Sequence, residues 1–352
     1  MSIREVQGAA RDWSRRGEAW AEAILVAVRR SAPRPPGARY AVGPDGAFAG
    51  NLSAGCVEAD LHERLTALLG SADPGAADRV SYGISDDEAA GVGLSCGGEI
   101  DVLLRRHEAA DPVWGALVEA LEEERREWSG ALITDLSDEN LGGQLLVDEA
   151  GPAAGEEGAP RLLGALEARD RLFAREGSEK LELPGVGPVF VDRILPPRRL
   201  VVVGASAIGA ALARLAPSVG YRVIVIDPRR GLVEAAGLEG PDVRVEWPDE
   251  ALADLPLDGW TDVAVLAHDE RLDVPALRAA LEAGCRYVGL LGGRRTQRVR
   301  REALRAEGVA EPDLERIRGP IGLDVGAVTP EEIAVSILAE LLAVRRLGAT
   351  DG

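Results

Sequence analysis

Residues 200–209 read Leu-Val-Val-Val-Gly-Ala-Ser-Ala-Ile-Gly, and Ala-Ala-Leu-Ala follows at 210–213. An apolar, valine-rich run that breaks at glycine and resumes as an alanine-rich helix is the strand, turn and helix setting of a dinucleotide fingerprint. Gly204 permits the tight turn, Gly209 lets helix and strand approach, and the helix N-terminus offers N–H groups to a pyrophosphate. Ser206 stands where a glycine usually lets backbone touch that group, and its side chain narrows the pocket. The next strand ends at Asp227, where a carboxylate would accept from an adenine ribose, although the following Arg229 and Arg230 suit a 2′-phosphate. Working outward, short apolar runs at 200–203, 221–226, 243–247, 263–266 and 287–290 alternate with helical stretches. That alternation predicts a doubly wound α/β unit with a parallel sheet.

Three more loops fall at the carboxyl ends of those strands, where ligands of open α/β sheets collect. His268-Asp269-Glu270 follows the strand at 263–266, and His268 is one of three histidines. Gly292-Gly293-Arg294-Arg295-Thr296 follows the strand at 287–290, and glycine with arginine at a strand end suits an anion. Gly319-Pro320-Ile321-Gly322-Leu323-Asp324 supplies the third. Thr329-Pro330-Glu331-Glu332 has a structural reading: threonine as N-cap, proline at N1 and Glu332 at N3 make a capping box for a helix over 333–344.

The first half reads as an α+β domain over 1–148, with helices at 21–28 and 57–69 and strands at 40–42, 48–52, 79–82 and 99–104. A Gly, Pro, Ala and Glu-rich stretch at 149–180 predicts a linker to the Rossmann-like domain at 181–352. Cys56 lies in Asn-Leu-Ser-Ala-Gly-Cys-Val-Glu at 51–58 and opens the helix at 57–69; Cys96 lies in Gly-Leu-Ser-Cys-Gly-Gly at 93–98. A thiolate beside a glycine-bearing turn can bind a soft metal or accept sulfur, although either cysteine also fits the bland role of a small buried hydrophobe. Cys285, at the approach to a strand, takes that bland role, and no C-x-x-C or H-x-x-x-H spacing supports zinc. Ser85-Asp86-Asp87-Glu88 reads as another capping box.

The chain has 352 residues, enough for two or three domains, and 59 acidic against 40 basic residues give a net charge of −19. A field of that sign excludes nucleic acid as the expected partner. No apolar run is long enough to span a membrane, and three cysteines do not make a disulfide framework, so the expectation is a cytoplasmic chain with reduced thiols. Lys180 is the one lysine, so the basic charge is almost all arginine.

The residues at 50–58, 84–98, 268–269, 287–295 and 320–340 together resemble the xanthine dehydrogenase accessory proteins, the XdhC/CoxI family. The resemblance implies a molybdenum cofactor chaperone. Such a protein would hold the molybdopterin cofactor while a cysteine desulfurase exchanges a molybdenum oxo ligand for sulfido, then pass it to the apo form of a molybdenum hydroxylase. It implies functional roles for Cys56, Cys96 and His268, with Cys96 as a transient molybdenum contact. It further implies cofactor binding by Gly97, Gly98, Gly204, Ser206, Gly209, Asp227, Asp269, Gly292, Gly293, Arg294 and Asp324, and a homodimer. The chain departs from the family pattern at Ser206-Ala207, where Gly-His is common, at Ala267, where Thr is common, and at Ala54, where Gly is common. Two other readings stand beside this one. An NAD(P)-dependent oxidoreductase would use Gly204, Gly209 and Asp227 for the dinucleotide and His268 as acid or base. A protein-binding scaffold for hydroxylase assembly would bind neither ligand.

Overall fold

A computed structural model of the chain describes residues 2–83, 98–122, 128–148, 150–155, 160–173, 176–238 and 242–347. The chain divides into two compact units, Met1–Pro196 and Pro197–Gly352. Among the described residues the first unit carries two five-stranded antiparallel sheets and the second a six-stranded parallel one.

The first unit opens with helix α1 (Ser2–Arg15), whose Ile3, Val6, Ala10 and Trp13 repeat at helical spacing and are buried. Its first sheet comprises β1 (Trp20–Arg29), β2 (Arg39–Val42), β3 (Phe48–Gly50), β4 (Ala77–Tyr82) and β5 (Glu99–His107), in the order β3-β2-β1-β5-β4, with helix α2 (Glu58–Leu69) packed against it. The helix expected over 21–28 is therefore a strand. Its apolar residues at 21, 24, 25 and 28 imitate helical periodicity because β1 is central and buried on both faces. Ala21, Ala23 and Leu25 join the core under α2, whereas Trp20, Ile24 and Val26 face the second sheet's side. A strand covered on both faces loses the polar alternation that would mark it.

The second sheet comprises β6 (Gly130–Asp135), β7 (Gln144–Asp148), β8 (Pro152–Gly155), β9 (Ser178–Leu183) and β10 (Gly187–Ile194), in the order β8-β7-β6-β10-β9. Helix α3 (Pro112–Glu122) precedes it, and a 3-10 segment (Pro160–Ala168) running into helix α4 (Arg169–Phe173) lies between β8 and β9. Within the linker expected over 149–180 the described residues form strands, a 3-10 segment and a helix, and the break between the two units falls between Pro196 and Pro197. The physical reason is burial: Leu162, Ala165 and Leu172 are fully buried among the inward residues of β6, β7 and β10, which the surrounding glycines and alanines obscure. A shared core of Trp20, Trp114, Leu132 and Leu146 joins the two sheets.

An ionic cluster crosses the same junction. Arg39 on β2 is fully buried and donates to Glu22 on β1 and to Asp192 on β10. His107 on β5 lies between Glu22 Oε1 (3.0 Å) and Asp111 Oδ2 (2.8 Å) and stacks on Trp20 at 4.0 Å between ring centres. Burial alone would raise the Glu22 carboxyl, yet the Arg39 charge and the His107 hydrogen bond hold it down to about 2.

In the second unit the strands β11 (Arg198–Val203), β12 (Tyr221–Ile226), β13 (Asp242–Arg244), β14 (Thr261–Val265), β15 (Tyr287–Leu290) and β16 (Ile317–Arg318) run in the order β13-β12-β11-β14-β15-β16. This is the doubly wound, Rossmann-like arrangement expected from the βαβ spacing. Helices α5 (Ala207–Leu215) and α11 (Pro330–Leu347), with α6 (Arg230–Ala236), bury apolar side chains with Leu200 and Val202 on one face. On the other, α7 (Pro248–Ala253), α8 (Glu270–Glu282), α9 (Arg294–Ala306) and α10 (Glu311–Glu315) pack with Val201 and Val203. The capping box forms as expected: Glu332 accepts from the N–H groups of Val328 (2.8 Å) and Thr329 (3.0 Å), and Thr329 Oγ1 accepts from the Glu332 N–H (3.3 Å).

Candidate functional site

The parallel sheet turns every βα loop to one edge, and the strand order reverses direction between β11 and β14. Loops at such a switch point diverge and leave a crevice at the carboxyl ends of the strands. Gly204 has φ +114°, and a Cβ there would sit 2.7 Å from the backbone nitrogen of Ala267, so the two loops touch at this glycine. A Cβ on Gly209 would lie 2.0 Å from the Gly204 carbonyl oxygen, which accounts for glycine at both ends of the turn. Ser206 is the N-cap of α5, and its Oγ accepts from the Gly209 N–H at 3.3 Å. The serine thus caps the helix where a glycine would have exposed backbone.

Asp227 is fully buried. Oδ2 accepts from Ala205 N (2.8 Å) and Arg229 Nη2 (2.7 Å), and Oδ1 accepts from Arg229 N (2.9 Å) and Nε (2.8 Å). Four donors use the four acceptor positions of a carboxylate. Burial pushes this carboxyl up, but the Arg229 and Ala205 hydrogen bonds outweigh it and hold the group below its usual range. In this arrangement Asp227 ties the first loop to the second, and the oxygens expected to meet a ribose are engaged by the chain itself.

His268 is exposed and has a left-handed backbone, φ +58°. Asp269 caps α8 and binds Arg271 through its N–H (3.0 Å), Nε (3.1 Å) and Nη2 (2.7 Å); those bonds hold its carboxyl at about 2. After β15, Gly292 has φ +124°, and a Cβ there would strike the Thr296 side chain at 2.8 Å. Gly293 is the N-cap of α9 and has no side chain to occupy the helix donors, while Arg294 and Arg295 are exposed beside it. After β16, Gly322 N donates to Glu340 Oε2 at 2.8 Å and Leu323 N to the Ser336 carbonyl at 3.2 Å, so α11 fixes the loop that presents Asp324 to solvent. Glu340 also accepts from the Tyr287 hydroxyl; its place within the long motif at 320–340 is the one sequence signal of that role.

In the first unit, the loop from Asn51 to Glu58 is organised by Glu58. Its carboxylate accepts from the N–H groups of Leu52 (3.1 Å), Ser53 (2.7 Å), Gly55 (2.9 Å) and Val57 (3.2 Å) and from the Ser53 hydroxyl. Asn51 Oδ1 accepts from Ala54 N at 2.8 Å. Ala54 takes φ +61°, the conformation for which glycine is the easier residue. Cys56 is half-buried and lies two residues before α2, which begins at Glu58, so it does not itself open the helix. Reading Cys56 as the motif's point overlooks Glu58, the residue that shapes the loop around it. Gly98 lies against Ser31, whose carbonyl oxygen would be 1.6 Å from a Cβ. Cys96, Gly97 and the capping box at Ser85 lie outside the described residues. Cys285 is buried, and burial pushes its thiol up to about 11, in keeping with a packing role. Among the described residues no three His, Cys, Asp or Glu side chains gather to hold a metal ion, and no helix is long and apolar enough to cross a membrane.

The class defined by these features is a two-part α/β protein whose second part is a Rossmann-type sheet with its loops gathered at one rim. Residues 200–341 match the XdhC Rossmann domain, and residues 13–83 match the XdhC and CoxI family. The chain belongs to the XdhC and CoxI family. It is similar to a probable xanthine dehydrogenase subunit of Bacillus subtilis strain 168, at 28% identity over 92% of each chain. It is also similar to the molybdenum cofactor insertion chaperone PaoD of Escherichia coli K12, at 29% identity over 91% of this chain and 82% of that one. A crystal structure from Bacillus halodurans, described as a xanthine dehydrogenase, matches with a TM-score of 0.75 over 98% of this chain and 97% of its own. At 24% identity that likeness shows a shared fold.

Proposed function

We propose that the chain is an accessory protein that holds the molybdenum cofactor as cargo and delivers it to an apo hydroxylase of the xanthine or carbon monoxide dehydrogenase type. The observation that carries this reading is the likeness to an insertion chaperone along 91% of the chain, through both units. The rim chemistry supports it. The uncapped N-terminus of α9, with Arg294 and Arg295 beside it, suits the pterin phosphate, and Gly204 provides close backbone approach at the switch point. In this reading Gly292, Gly293, Arg294, Ser206, Gly209, Asp269 and Asp324 border the cargo. His268 acts on it, Gly97 and Gly98 bind it, and Cys56 and Cys96 approach the molybdenum or accept sulfur delivered by a cysteine desulfurase. A homodimer belongs to the same reading.

The competing reading, an NAD(P)-dependent oxidoreductase, draws on the turn at Gly204 and Gly209, but the engaged oxygens of Asp227 speak against a ribose there. Anaerobic equilibrium binding of isolated molybdenum cofactor to wild type, Cys56→Ala and Cys96→Ala separates the two, with NAD(P)H titrated in parallel. Tight cofactor binding weakened by a cysteine substitution is expected. Saturable NAD(P)H binding without cofactor binding would overturn the proposal.

A further inference from the structure

Asp273 lies in the first turn of α8 and is fully buried. Its Oδ2 accepts from Arg300 Nε at 3.0 Å, and the same guanidinium reaches Glu270 from Nη1 at 2.7 Å. Oδ1 is buried with no hydrogen-bond partner among the described residues. Native folds seldom leave such an acceptor open, so its environment calls for a specific partner. Burial pushes the Asp273 carboxyl above its ordinary range, while Arg300 and His268 pull the other way, so the field of His268 already reaches it.

The spacing explains why. Asp269 is the N-cap of α8, which makes His268 the N′ residue and Asp273 the N4 residue. Side chains at N′ and N4 meet across the first helical turn, an arrangement that apolar residues use as a staple. Here the pair is an imidazole and a carboxylate. The other charged groups around them are engaged: Asp269 by Arg271, Glu270 by Arg300, and Arg229, whose charge reaches Asp269 and Asp273, by Asp227.

We propose that Asp273 is the positioning residue of His268. The imidazole turns inward to place one ring N–H on Asp273 Oδ1, and the other ring nitrogen is then aimed across the switch-point crevice. An imidazole held through one nitrogen has its tautomer fixed at the other, so His268 would present a defined donor or acceptor to whatever occupies the rim. The contact of His268 with cargo rests on the function proposed above; the pairing with Asp273 does not.

The test is a long-range 1H–15N spectrum of the full chain labelled at histidine. With three histidines, His268→Gln assigns the signal. The expected result is a single dominant tautomer for His268 at neutral pH, lost to the mixture typical of free imidazole in Asp273→Asn and retained in Asp269→Asn. A wild-type His268 that already shows the free mixture would overturn the pairing, and so would a pattern unchanged in Asp273→Asn. If Asp273→Asn does not fold, the wild-type spectrum alone decides. Cofactor binding, measured separately, distinguishes failure of the pairing from failure of the chaperone reading.

Discussion

Gly204 and Gly231 show how differently two glycines in one sheet-and-helix unit are constrained. At Gly204 an alanine would combine a left-handed backbone with a Cβ 2.7 Å from main chain, and nothing there can yield cheaply. Gly204→Ala is expected to cost about 2 kcal/mol or more in urea unfolding. Gly231, inside α6, has open space around its Cβ position, and Gly231→Ala is expected to gain about 0.5–1 kcal/mol in the same measurement. The need for glycine at 204 and 209 is legible in the sequence because a strand, a turn and a helix succeed one another there. The engagement of Asp227 is not, since it depends on Arg229 folding back upon the preceding strand end, which no spacing announces. Asp273 is hidden for another reason: a carboxylate in the first turn of a helix ordinarily reads as a complement to the helix dipole.

Among the elements, β1 and the loop at 51–58 are held by carboxylates, the buried Glu22 and the half-buried Glu58, and each gives a measurable consequence. Glu22 titrates at about 2 in the fold against an ordinary 4.5, so the folded chain binds fewer protons than the unfolded one across that interval. Its stabilising contribution is fully present above about pH 4.5 and is lost as pH falls toward 2. Glu22→Gln is expected to cost about 3–5 kcal/mol at neutral pH by leaving Arg39 partly unpaired, and to flatten the acid limb of a stability profile followed by circular dichroism. Removing the acceptor that organises the cysteine loop has a chemical readout. In a Cys96→Ala background, Glu58→Ala is expected to raise the rate at which a disulfide reagent labels Cys56, because the N–H groups of Gly55 and Val57 lose their partner. A rate unchanged from the parent would show that the loop holds without Glu58. The strand β1 imitates a helix in sequence because both of its faces are covered; β11, equally covered, is recognisable as a strand because a glycine turn and helix follow it. Context beyond the run itself, rather than its hydrophobicity, separates the two cases.

For the molecule as a whole, the division at Pro196 and Pro197 leaves the parallel sheet and both of its apolar cores within residues 197–352. That fragment is expected to unfold in one cooperative transition when produced alone; a non-cooperative melt would show that it borrows stability from the first unit. The expected connector at 149–180 instead supplies β8 and β9, the two edges of the second sheet. Its composition conceals them, since edge strands need only one paired flank and tolerate the proline and charge that central strands exclude. One of those edges also carries Lys180, exposed, and with its backbone paired to Phe190. As the sole lysine of the chain, it carries the one side-chain amine, so that once the chain's α-amine is blocked an amine-directed dye would report on the second sheet of the first unit and on no other side chain of the protein.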